Sequence, residues 1–183
     1  MNRRPIWVPL AALLAVASFA LVASAKLQSI GGADVQFLAK GPAGLKIEGS
    51  GNGLNAKEKD GKLEMEASVK NLKTGIGLRD KHLKKYIHAD KHGKAKLVVE
   101  RSKLDLPEDG KTKAGSVTGQ FTLNGVTKPL KVDYKIKRTG SDYHVQGKAD
   151  VNIEHHEIEK PCYLGVCVDP VVKIRVKFKL RDK

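Results

Sequence analysis

The chain has 183 residues, a formal net charge of +14, and 40% hydrophobic but only 5% aromatic residues. That length suits one domain with a real core, and no internal repeat, low-complexity tract or long linker divides it. Neither a catalytic triad, a phosphate loop nor a Cys-x-x-Cys redox pair stands out, so the motifs suggest no enzyme class.

Residues 1–25 differ from everything downstream. Arg3 and Arg4 make a positive start, Ile6 to Val22 is almost wholly apolar, and Ala23-Ser24-Ala25 has the small-x-small pattern of a signal peptidase site. The expectation is a signal peptide over 1–25, cleaved after Ala25, and a mature domain over 26–183 in the periplasm or secreted. The alternative is retention of the apolar stretch as a membrane anchor. Arg3 and Arg4 supply two of the charges, so +14 becomes +12 for the mature chain. In an exported protein such a charge either suits anionic lipid headgroups or other acidic surfaces rather than nucleic acid, or serves solubility alone, and composition does not choose between the two.

After residue 25 come runs of alternating apolar and polar residues, the pattern of half-buried strands. They cover Val35 to Lys40, Leu45 to Gly49, Leu63 to Asn71, Ala95 to Arg101, Ser116 to Leu123, Leu130 to Lys137, Asp142 to Glu157 and Val171 to Leu180. In the last run Val172, Ile174, Val176, Phe178 and Leu180 share one face, while Lys173, Arg175, Lys177 and Lys179 share the other. Asn124-Gly125 marks a tight hairpin turn. Only Gly77 to His92 reads as helix, with Gly93 as its stop. Eight antiparallel strands with one apolar face each either pack as two sheets or close into a barrel, and closure removes exposed edges. Such a barrel is either filled by side chains or holds one slender ligand.

His88 and His92 lie four apart, the spacing that puts two imidazoles on one helix face, but a third metal ligand would have to come from elsewhere. A solvated basic face with Lys84, Lys85, Lys91 and Lys94 is the plainer reading, and no metal is expected. His155 and His156 are consecutive, so on a strand one points in and one out. The register of Val151 and Ile153 turns His155 and Glu157 inward, near a barrel mouth. The only two cysteines, Cys162 and Cys167, have four residues between them and lie between two expected strands. An exported chain oxidises its thiols, and a hairpin turn would bring the pair within disulfide reach. The staple would add about 2 kcal/mol, with Pro161 and Pro170 stiffening its flanks.

Three segments resemble the YceI-like family, lipocalin-like exported bacterial proteins. Thr74-Gly75-Ile76-Gly77-Leu78-Arg79-Asp80-Lys81-His82-Leu83-Lys84-Lys85-Tyr86 is similar to its TGxxxRDxHLxxxxF segment, and Val117 to Pro129 to its GxLTLNGVTKPV hairpin. Ala149 to His155 resembles the stretch that in the family ends in arginine before SDFGI; His155 stands at that arginine. The resemblance implies an all-β fold, an eight-stranded antiparallel lipocalin-like barrel around a long apolar channel, closed on one side by one short helix. It also implies a bound isoprenoid, quinone-like, polyprenyl-phosphate or fatty-acid-like lipid and a carrier or sequesterer rather than an enzyme. No other cofactor is expected.

The expected ligand contacts are Arg79, Asp80 and His82 at the channel mouth, with Tyr86, Tyr134 and His155. Arginine suits phosphate or carbonyl oxygens. Asp80 is better placed to cap the first helical turn, and the two tyrosines also suit the core. Two rival readings are a solidly packed barrel whose outward Lys131, Lys135, Lys173, Arg175, Lys177 and Lys179 bind acidic surfaces, and a metal-dependent enzyme that uses the histidines.

Overall fold

The structure, a computed structural model, describes residues 26–183. The expected signal peptide and its cleavage site lie outside the described residues.

The sheet is built from long strands on one wall and short ones on the other. In chain order these are β1 (Leu27–Lys40), β2 (Lys46–Gly51), β3 (Asn55–Lys59), β4 (Lys62–Ser68), β5 (Lys94–Glu100), β6 (Thr112–Leu123), β7 (Val126–Thr139), β8 (Asp142–Asn152) and β11 (Val171–Asp182). All neighbours are antiparallel, in the order β11-β8-β7-β6-β5-β4-β3-β1-β2, and β11 also pairs with β1. That last pairing closes the sheet. β2 and β3 occupy the same position along β1, at Val35↔Gly51 and Gln28↔Lys57, so the closed ring has eight positions. The expected eight-stranded barrel with one helix is the fold.

Local chemistry explains where the strands turn. Asn124-Gly125 joins β6 to β7 with φ of 51° and 77°, as that dipeptide requires. Asp60-Gly61 does the same between β3 and β4, with φ of 50° and 71°. β3 was not among the expected strands, because Asn55 to Lys59 carries only Ala56 on its apolar face. β1 begins at Leu27 rather than Val35. Its first half is hidden from a pattern search by the irregularity between Ile30 and Asp34, which holds Gly31 at φ 69°.

Among the described residues the single α-helix, α1 (Gly77–Tyr86), stops six residues short of the expected His92. His88 adopts φ 46°, which turns the backbone out of the helix, so His88 and His92 do not share a helix face. β8 likewise ends at Asn152, and a 3-10 turn over Ile153–His156 follows, started by Asn152 Oδ1 accepting from Glu154 N at 3.0 Å. The two-residue strands β9 (Cys162–Tyr163) and β10 (Val166–Cys167) form a separate hairpin.

The barrel has two unlike ends. At one end Leu27, Ala56, Leu63, Val99, Val117, Tyr134, Ile136, Tyr143, Phe178 and Leu180 pack into a solid core. The other end carries α1, the 3-10 turn and the β9–β10 hairpin, over a smaller cluster of Val69, Ile87, Ala89, Ile153 and Ile158. Along β11 the change is visible residue by residue: Phe178 and Leu180 are buried, whereas inward-facing Val172, Ile174 and Val176 are only half-buried. β7 repeats it, with Tyr134 and Ile136 buried and Leu130 and Val132 half-buried.

Candidate functional site

Those half-buried inward residues face a cavity of about 1290 Å³. Its wall is mainly apolar: Val35, Phe37 and Ala39 from β1, Met65 and Ala67 from β4, Leu97 from β5, Val132 from β7, Ala149 and Val151 from β8, and Ile174 and Val176 from β11. Strand alternation places them there, since every second side chain of each strand points inward. Small residues keep the space open. Phe37 packs against its register partner Gly49, where a Cβ would come within 2.3 Å of its ring, so only glycine fits there.

The polar groups gather at the mouth. Arg79, His82, Lys85 and Tyr86 of α1 line it, with Glu157 and Glu159 from the chain after β8. Four of the expected ligand contacts are near α1, and three of these, Arg79, His82 and Tyr86, line the cavity. Asp80 has a different task. Its Oδ1 accepts hydrogen bonds from the Thr74 amide and the Thr74 hydroxyl, both at 2.6 Å, and so fixes the Thr74-Gly75 bend that leads into the helix. The Thr74 hydroxyl, then its N–H, hold the Asp80 carboxyl below the usual carboxylate range.

Two expected contacts fall elsewhere. Tyr134 sits in the solid core at the far end, its hydroxyl accepting from the Asp105 amide at 3.1 Å. His155 is exposed and outside the cavity wall, while His156 is buried at 3% exposure. The 3-10 turn after Asn152 breaks the strand register that would have turned His155 inward. His156 instead packs edge-on against Phe121, ring centroids 5.4 Å apart, and its Nδ1 donates to the Val126 carbonyl at 3.0 Å.

Asn124 holds the mouth segments together. Its amide nitrogen donates to the carbonyls of His156 at 3.1 Å and Glu157 at 3.3 Å. Its Oδ1 therefore accepts, from His88 Nδ1 at 2.9 Å. One turn residue thus ties the β6–β7 hairpin to the chain after α1 and to the chain after β8. The only hint in the sequence was the Asn-Gly dipeptide, which signals the turn and not the side-chain bonds.

The cysteine pair is a disulfide, with Cα atoms 4.0 Å apart, directly opposite each other across β9 and β10. The base of this hairpin is anchored by the Asp169 amide donating to the Lys40 carbonyl at 2.7 Å and by Val168 to Pro161 at 3.0 Å. Cys162 and Leu164 form part of the mouth. The mouth also has an apolar rim that the polar candidates did not reveal: Leu45, Ile76, Leu78, Leu164 and Val166 line the cavity while staying exposed.

Comparison with known proteins agrees with this geometry. Curated relatives include UPF0312 proteins of Pectobacterium carotovorum, 32% identical over 83 residues (44% of this chain, 40% of that protein), and of Pseudomonas fluorescens, 32% identical over 117 residues (60% and 59%). The chain thus matches less than two-thirds of the length of either. A polyisoprenoid binding domain from Saccharophagus degradans, implicated in plant cell wall breakdown, superimposes with a TM-score of 0.70 at 12% identity, over 87% of this chain and 99% of that one. BcnA of Burkholderia cenocepacia gives 0.63 at 15% identity, over 80% and 95%. A YceI protein of Campylobacter jejuni gives 0.55 at 16% identity, over 75% and 85%. At such identities these structures speak for the fold. The YceI-like domain model matches residues 34–180, nearly the whole described chain, and the protein therefore belongs to the YceI-like family.

Proposed function

We propose that the protein binds an isoprenoid or similar amphiphilic lipid in its cavity and carries or sequesters it in an exported compartment, without catalysing a reaction on it. The observation that supports this most strongly is the graded barrel: one end packed solid, the other a cavity of about 1290 Å³ walled mainly by apolar side chains. Each methylene taken out of water is worth about 0.8 kcal/mol, so a long chain gains affinity there without polar contacts. The tail would lie against Val132, Ile174 and Val176, and the polar head would meet Arg79 and His82 at the mouth. Arginine favours phosphate or carbonyl oxygens at that position. The polyisoprenoid binding described for the Saccharophagus domain favours a prenyl chain over a fatty acid.

Export is supported by the apolar segment before Ala25 and by a disulfide, which persists in oxidising compartments. A solidly packed barrel, the premise of the surface-binding rival, does not agree with the cavity. The carrier reading is tested by extracting protein purified from its native compartment with organic solvent and analysing the extract by mass spectrometry. A co-purifying prenyl or related lipid, in amounts comparable to the protein, is expected. Absence of any lipid, together with no binding in titration, would refute it.

A further inference from the structure

Exposed leucines are ordinary when scattered, but contiguous ones rimmed by charge mark an interaction site. Among the described residues, six large apolar side chains are exposed, and five of them, Leu45, Ile76, Leu78, Leu164 and Val166, ring one opening. Leu164 is 86% exposed and Leu78 66%. The position of Leu164 is also costly to fill with leucine. It is the first residue of the β9–β10 turn at φ 49°, where asparagine or glycine is the ordinary choice. The disulfide directly beneath this turn fixes the direction in which it projects.

Beside the apolar rim the charge is one-sided. From Lys70 to Lys85 the chain holds six lysines and arginines against a single acid, Asp80, whose carboxylate is engaged by Thr74. Lys73, Lys81 and Lys85 are exposed around Ile76 and Leu78. The acids Glu157 and Glu159, from the chain after β8, also line the cavity. Exposed apolar tips beside a basic segment fit the boundary of an anionic bilayer, with leucines at the acyl level and lysines among the phosphates.

We infer that the mouth of the barrel docks on anionic phospholipid membrane, with Leu164 and Leu78 as the inserting side chains and the Lys70–Lys85 segment as the headgroup contact. This rests on the lipid-carrier reading, since a membrane is where the cargo would be taken up or delivered. It assigns that contact to the mouth rather than to the basic outer wall. Docked so, the cavity opens directly into the acyl region, and a chain passes between bilayer and barrel without crossing water.

The test is co-sedimentation of the purified full-length domain with vesicles of phosphatidylcholine containing phosphatidylglycerol, and with phosphatidylcholine alone. Wild type binds the anionic vesicles preferentially, and salt weakens the binding. The double variant Leu78→Ser/Leu164→Asn partitions roughly tenfold or more less well, whereas Lys131→Glu/Lys135→Glu on the outer face of β7 stays near wild type. Asparagine tolerates the backbone at position 164, so the hairpin keeps its shape. Equal binding by the rim variant, or loss of binding in the outer-wall variant, would overturn the assignment. So would absence of vesicle binding; self-association of wild type that the rim variant abolishes would then make the occupant a second copy of the chain. Failure here with lipid still found in extracts leaves the carrier reading standing. Rim-dependent vesicle binding with no lipid in extracts leaves docking standing and removes the carrier.

Discussion

At the scale of single residues, the mouth depends on two polar side chains that make no contact with the cavity. Asn124 satisfies two carbonyls and one imidazole at once, and Asp80 takes both donors of Thr74. Because Thr74 holds the Asp80 carboxyl below its ordinary range, this contribution to the folded state is fully present above the unfolded carboxylate value of about 4 and is lost as pH falls through the lower, folded value. Acidification below about pH 4 should therefore loosen α1 before the barrel. Asp80→Ala should do the same at neutral pH. Hydrogen exchange would report faster amides over residues 74–86 with unchanged protection in β6, β7 and β8. Uniform loss of protection would show instead that Asp80 supports the whole fold.

At the scale of elements, the β9–β10 hairpin is held by its covalent bond and two backbone hydrogen bonds at its base. Replacing both cysteines, Cys162→Ser with Cys167→Ser, should cost about 2 kcal/mol of local stability by the chain-entropy estimate. The change should appear as protease cleavage within residues 161–168 and faster lipid release, with a global melting temperature lowered by only a few degrees. A large loss of global stability would contradict the peripheral placement of the hairpin. These elements differ in how far the sequence disclosed them. β6, β7 and β11 were legible because alternation runs unbroken along them, with an Asn-Gly turn between the first two. β3 was not, since one apolar residue gives no period, although Asp60-Gly61 announced its turn. The end of β8 was misread for a related reason. Ile153 continues the alternation of Val151, but the backbone has already entered a 3-10 turn, so the histidine that turns inward is His156.

At the scale of the whole molecule, the strand pattern is the same in the packed and the open half of the barrel, because both need apolar residues at every second position. Hence the sequence suggested a barrel and left open whether it was filled. What distinguishes the halves is bulk brought together from distant strands: Phe178, Tyr143 and Tyr134 meet at one end, while Ala149, Gly147 and Ala67 border the cavity. Arg79 and His82, which a motif singled out, line the cavity. The apolar rim of the mouth was not legible, since Leu45, Leu78 and Leu164 come from three separate segments. The most direct test is a titration of delipidated protein with a polyprenyl chain, in wild type and in Ala149→Trp, which puts an indole into the cavity from β8. Carriage inside the barrel requires saturable binding by wild type that high salt does not remove, and its loss in Ala149→Trp with secondary structure and melting temperature retained. Binding by a folded Ala149→Trp protein as tight as wild type would place the lipid elsewhere and contradict the cavity as its site.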